Sequence, residues 1–337
     1  MLVSLLAPGC TKGKNQQDDP GDTGQQTFCL SCDVGVDATN PDAGTDATDG
    51  TMKTLSLSVT GATSAKSAGM LPALGDSHQW EGWLVDTSGS EPAPYSTGKF
   101  GAPDSKDSDF YSWQVPASKV ERADKFVLTI EPKPDGDPAP STTKFLGGPI
   151  DGSEAKLTTA PIGNFSDASG SFILNAPSAE TDKPKHGIWF LIPPNEEGPS
   201  ASFQALPKLD FKGWAYEGWV VDTSGQSPQP YTTGKFADKP QSWTDQDRDG
   251  AGPSSGPGDT PAYPGQDFLG GEPGGNDFDL TSGGNWKVVL TVEPEVGDVG
   301  DTSPKPFPSL KPMSATIGES TEGKTSQDLN LNTDSLP

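Results

Sequence analysis

Apolar residues along this chain fall into short runs broken by polar turns, and no stretch keeps the 3.6-residue period of an amphipathic helix. Two runs, "FVLTI" (126–130) and "VVLTV" (288–292), are β-branched and aromatic. Each stops at Glu-Pro, where proline has no N–H to offer a ladder, so both read as strands. "WEGWLVD" (80–86) and "YEGWVVD" (216–222) run into "TSG", a turn signal, and "YSTGKF" (95–100) and "YTTGKF" (231–236) can return as their hairpin partners. Further strands are expected in "TLSLSV" (54–59), "AKLTTAPI" (155–162), "GSFILNAP" (170–177), "HGIWFLIP" (186–193) and "SASFQAL" (200–206). Many short strands at this spacing predict an all-β protein built of β-sandwiches.

The strand pattern occurs twice. Residues 81–100 and 217–236 align without a gap at an offset of 136, with 15 of 20 positions identical. "LPAL" (71–74) precedes the first copy and "LPKL" (206–209) the second, while "KFVLTIEP" (125–132) and "KVVLTVEP" (287–294) follow at an offset of 162. The order is kept and the second copy carries an insertion, 237–282, whose Gly, Pro and Asp content predicts a long loop. Two related modules follow, 53–166 and 167–320, each with the duplicated block as its central hairpin.

Composition changes the picture at the two ends of the chain. The whole has 337 residues, enough for two domains. Hydrophobic residues make up 31%, and 41 Gly and 34 Pro supply turns. A net charge of −24 excludes nucleic acid as a partner, since nothing could neutralise a row of phosphates. Residues 11–52 are rich in Asp, Thr, Gly and Ala without apolar period, which predicts a disordered acidic tether; 321–337 are expected to be a disordered tail. Ahead of the tether, "MLVSLLAPGC" joins a short apolar run and small residues to Cys10, the pattern of a bacterial lipoprotein signal. Residues 1–10 are therefore expected to be the signal region, with the Cys10 thiol accepting the lipid. Thr11, in place of Asp, points to the outer membrane.

The string formed by "YEGWVVD", a polar turn, "TTGKF", "VVLTVEP" and a Pro-rich stretch resembles the extracytoplasmic domain of anti-sigma-K factors, over roughly residues 54–165 and 170–318. The resemblance implies the fold of that domain in both modules, and with it a regulatory or sensory role linked to sigma-factor control. The segment through which such factors hold their sigma partner has no counterpart in this sequence.

Candidate chemistry is sparse. With two His residues, His78 and His186, the chain is not expected to be an enzyme. "GPSSG" around Ser254 has the letters of a nucleophile elbow without the strand and helix that elbow needs. Glu81 and Glu217, like Glu131 and Glu293, occupy matching repeat positions, which speaks for structure over acid–base catalysis. Cys29 and Cys32 in "CLSC" are expected to form a local disulfide in an oxidising compartment. Trp80 and its counterpart Tyr216 could line one face and stack on sugar rings. "DQDRDG" alternates Asp245, Asp247 and Asp249 before a turn glycine, hard oxygen ligands suited to Ca²⁺. The expected function is a lipid-anchored, non-enzymatic cell-envelope protein with a binding or structural role, its partner an envelope protein or polysaccharide. Sigma-linked regulation and carbohydrate binding are the alternatives.

Overall fold

The computed structural model describes residues 27–33, 51–60, 71–101, 110–177, 179, 183–195, 198–209, 212–236, 264–269, 279–295, 310–318 and 325–332. The chain divides between Pro161 and Ile162 into two compact units, and both are all-β.

The first unit contains β1 (Thr27–Asp33), β2 (Met52–Thr60), β3 (His78–Asp86), β4 (Ala93–Phe100) and β5 (Phe110–Pro116). The short helix α1 (Ala117–Arg122) leads to β6 (Lys125–Pro132), β7 (Lys144–Asp151) and β8 (Glu154–Leu157). All eight strands join one antiparallel sheet in the order β4-β3-β6-β7-β8-β1-β2-β5. Its two edges come together: Phe100 of β4 lies 4.7 Å from Tyr111 and 5.1 Å from Trp113 of β5, centroid to centroid. The sheet is thus curled almost into a barrel, and opposite halves face one another across a single core. Alternation supplies that core. Leu55 and Leu57 on β2, and Phe126, Leu128 and Ile130 on β6, are all buried and two residues apart.

The second unit contains β9 (Gly170–Leu174), β10 (Gly187–Trp189), β11 (Leu191–Asn195), β12 (Gly198–Ala201), β13 (Trp214–Asp222) and β14 (Gln229–Phe236). It continues with β15 (Gly265–Asp267), β16 (Trp286–Pro294), β17 (Met313–Thr316) and β18 (Gln327–Leu331). Its main sheet runs β14-β13-β16-β17-β18-β9-β10-β15, with β11 and β12 as a separate hairpin. Without that hairpin, the strand order repeats the first unit position for position. The duplication therefore extends over the whole unit, well beyond the 20-residue block.

Four expectations are corrected here. The acidic tether contains β1, which pairs with both β2 and β8. The expected tail contains β18, which joins β17 to β9 and buries Leu329. The insertion contains β15, the counterpart of β5, whose Gln266 and Asp267 are buried; Asp267 Oδ1 accepts the Trp189 indole N–H at 3.0 Å. The fourth is the disulfide. Cys29 and Cys32 sit three residues apart on β1, paired with Ser58 and Leu55 respectively. At about 3.3 Å per residue in a strand their Cα atoms are about 10 Å apart, beyond the roughly 7 Å a bridge can span. Helix α1 also went unread in the sequence, where its six residues carry only Ala117 and Val120 to the core.

Candidate functional site

The duplicated block builds the same polar cluster in each unit. On β3 the sequence Glu81-Gly82-Trp83 faces β4, with Glu81 opposite Lys99 and Gly82 opposite Gly98. The next pair is Trp83 with Ser96, so Thr97 is an extra residue bulged out of β4. Gly98 takes φ +112° to make that bulge, and its counterpart Gly234 takes φ +91°. The bulge brings the Ser96 hydroxyl onto Glu81 Oε1, to which it donates, and puts Thr97 Oγ1 3.0 Å from the Gly82 carbonyl. In the second unit Thr232 donates to Glu217 Oε1 in the same way, and Thr232 also receives the Gly234 N–H at 2.9 Å.

The neighbouring strand completes the arrangement. Thr129 on β6 accepts the Trp83 indole N–H at 2.9 Å and donates to Glu131 Oε1, which also receives the Ser141 amide at 2.9 Å. Thr291 on β16 accepts the Trp219 indole N–H at 2.9 Å. Each Trp-Thr pair is fully enclosed, so its hydrogen bond cannot be replaced by water. Thr291→Val, which keeps the shape and removes the acceptor, is expected to destabilise the second unit by about 1–3 kcal/mol. Urea unfolding of the full chain should show the later or earlier transition of that unit shift alone.

Electrostatically the two clusters differ. In the first unit, carboxylate oxygens of Glu81, Glu131 and Asp135 lie within 4.8 Å of one another. The Lys99 ammonium is 2.9 Å from Asp135 Oδ2. That contact holds the Asp135 carboxyl below the usual carboxylate range and lifts the Lys99 ammonium above its own. Glu81 goes the other way. Burial, reinforced by the charges of Glu131 and Asp135, pushes its carboxyl up, against the opposing pull of Ser96 and Lys99. In the second unit the corresponding Glu217 and Glu293 have two lysines nearby. Lys235 pairs with Glu217 across the β13–β14 ladder and is itself buried, its Nζ 3.4 Å from the Pro294 carbonyl. Lys311 acts on Glu293, and burial, the larger influence, lowers its ammonium.

Sequence-predicted site residues fare unequally. Glu81 and Glu131 do meet, but both are buried (3% and 1% exposed), so no sugar can enter between them as a glycoside cleavage would require. Trp80 and Tyr216 are not on an open face; both are 0% exposed. The Trp80 indole N–H donates to the Pro72 carbonyl at 3.0 Å, and the Tyr216 hydroxyl to the Pro207 carbonyl at 2.6 Å. Each anchors the equivalent "LP" segment to its unit, and this internal hydrogen bond is what the Trp-to-Tyr exchange preserves. His78 contacts Ser77 Oγ through Nδ1 at 2.9 Å, and its imidazole is lowered by burial. The His186 carbonyl receives the Phe268 amide at 2.7 Å. Cys10, Ser254, Asp245, Asp247 and Asp249 lie outside the described residues.

The three-carboxylate cluster was missed by sequence reading because Asp135 lies in the loop after β6, outside the matched strings. A shallow groove is also present, lined by Leu84, Asp86, Ala93, Pro94, Tyr95, Lys119 and Arg122. At about 130 Å³ it falls well short of the roughly 300–1,000 Å³ of small-molecule sites. Comparison with protein-family models, with curated proteins and with solved structures returns no match to this chain.

Proposed function

We propose that the protein is a lipid-anchored, non-enzymatic component of a bacterial cell envelope, in which two duplicated β-units bind or brace another envelope component. The observation that carries this reading is "LLAPGC" ending at Cys10, a small-residue approach to a lipidatable thiol. The residues between Cys10 and β1 support it, because 11–26 are polar, with Gly and Pro and no apolar run, a composition suited to a linker between an anchor and a folded unit. The build of the units agrees with a binding or bracing role. The duplicated side chains of the central block are spent on internal hydrogen bonds, as the Trp-Thr and Glu-Ser/Thr contacts illustrate.

Full-length protein expressed in a bacterial host is expected to enter the detergent phase on Triton X-114 partition, and Cys10→Ala to move to the aqueous phase. Equal partition of the two would end the lipoprotein reading. A second reading, regulation linked to a sigma factor, is favoured by the anti-sigma-K-like strings on β13, β14 and β16. It predicts that deletion of the gene alters transcription from one sigma-dependent promoter set, which a purely structural role does not.

A further inference from the structure

We propose that Glu81, Glu131 and Asp135 of the first unit form a site for a divalent cation of the hard, oxygen-seeking kind, calcium above all. This goes beyond the envelope reading and does not depend on it. Three observations carry it. First, the spacing fits: a cation with ligands at 2.3–2.6 Å places opposite oxygens about 5 Å apart, and the three carboxylates here lie within 4.8 Å of one another. Second, Glu81 is 3% exposed, and its Oε2 has no hydrogen-bond partner, Ser96 having engaged only Oε1. A buried carboxylate oxygen left without a donor is costly, and a metal ion is one of the few groups that repay it.

The third observation is the comparison that the duplication supplies. In the second unit, among the described residues, Lys235 stands opposite Glu217 on the β13–β14 ladder and the charge of Glu293 acts on Lys311. In the first unit the corresponding pair is joined by a third carboxylate, Asp135, whose side chain is 2% exposed. Lys99 is the one ammonium among the charges that act on Glu81, which are Lys99 itself on β4, Glu131 on β6 and Asp135 in the loop beyond. Fully ionised, three carboxylates and one ammonium leave two negative charges, the charge of one divalent cation. The Lys99 side chain is 35% exposed, so it can swing from Asp135 to solvent when the ion enters. Calcium suits the site better than magnesium because irregular, all-protein carboxylate sets meet its flexible coordination and not an octahedron.

The test uses the full-length chain carrying Asp245→Asn, Asp247→Asn and Asp249→Asn, so that the acidic loop cannot answer for the cluster. Isothermal titration with CaCl₂ should show binding at about 10⁻⁴ M, and Ca²⁺ should raise the melting temperature of the first unit only. Glu81→Gln, added to this background, should abolish the heat and the shift, and in EDTA at neutral pH should melt higher than its parent. Asp135→Asn, at a loop position that the strands do not need, should also abolish binding and stands in should Glu81→Gln fail to fold. Lys99→Met, which removes the competing ammonium, should tighten binding about tenfold. Absence of a Ca²⁺ response in the loop-cleared background, or binding unchanged by both carboxylate variants, would overturn the site. Equal weakening by Lys99→Met would overturn it too, because that outcome marks a cluster stabilised only by its lysine and by protons.

Discussion

Trp219→Ala is expected to destabilise the second unit by about 3–5 kcal/mol and to leave the first at its wild-type midpoint. Trp219 is 1% exposed on the central strand β13, with β14 on one side and β16 on the other. Truncation removes the largest class of buried side chain and leaves a cavity that two flanking ladders prevent from collapsing. It also strands the Thr291 hydroxyl, which loses the indole N–H. A loss of that size is a large part of the total stability of an ordinary domain. Trp83→Ala should do the same to the first unit, where Trp83 is 2% exposed and bound to Thr129. Urea unfolding of the full chain, followed by tryptophan fluorescence and far-UV circular dichroism, should resolve two transitions of which each variant moves one. A variant that shifts both transitions equally would show that the units do not unfold independently.

Gly218→Ala should cost the second unit about 1–3 kcal/mol, and more if the strand cannot yield. A Cβ at this position would stand 2.3 Å from Thr233 Oγ1 and 2.6 Å from Phe190 Cε2. Neither neighbour has room to leave, since Thr233 and Phe190 are both buried. The equivalent Gly82→Ala meets Thr97 Oγ1 at 2.5 Å and Phe126 Cζ at 2.8 Å. The ring over the glycine therefore comes from different places, from β6 in the first unit and from the residue before β11 in the second. The register explains the exchange. Val288 occupies in β16 the position that Phe126 holds in β6, and the smaller side chain leaves space that Phe190 fills. The double variant Gly218→Ala/Phe190→Leu should recover part of the loss, whereas Gly82→Ala/Phe126→Leu should recover it only in the first unit. Chemical unfolding of the wild type, the four single variants and the two double variants reads both cycles.

The matched hairpins β3–β4 and β13–β14 and the strands β6 and β16 were all legible in sequence, because their information is local. Period-two alternation, a Glu-Pro stop and a turn signal each act within a few residues, and duplication printed them twice. The all-β class followed from the same signals. What lay beyond reach depended on partners distant in sequence. β1 has a strand-like alternation in Phe28, Leu30 and Cys32, yet it sits among acidic, turn-rich neighbours and gains its ladders only from β2 and β8. β18 carries one buried leucine, Leu329, and exists as a strand because β17 and β9 leave a place for it.

The fate of side chains was also decided in three dimensions. Trp80 and Tyr216 alternate as if toward a second face, but the sheet curls on itself and each ring is covered by its own unit, with the Pro72 or Pro207 carbonyl taking the polar end. The sequence by itself determined which residues repeat and where the hairpins turn. Only the tertiary structure decided that Glu81, Glu131 and Asp135 share one buried place, since strand pairing and a loop bring together residues that no local pattern connects. Burial then turns three ordinary acidic residues into a charge imbalance, because the cost of an unpaired charge depends on the solvent removed from it and not on the letters that encode it.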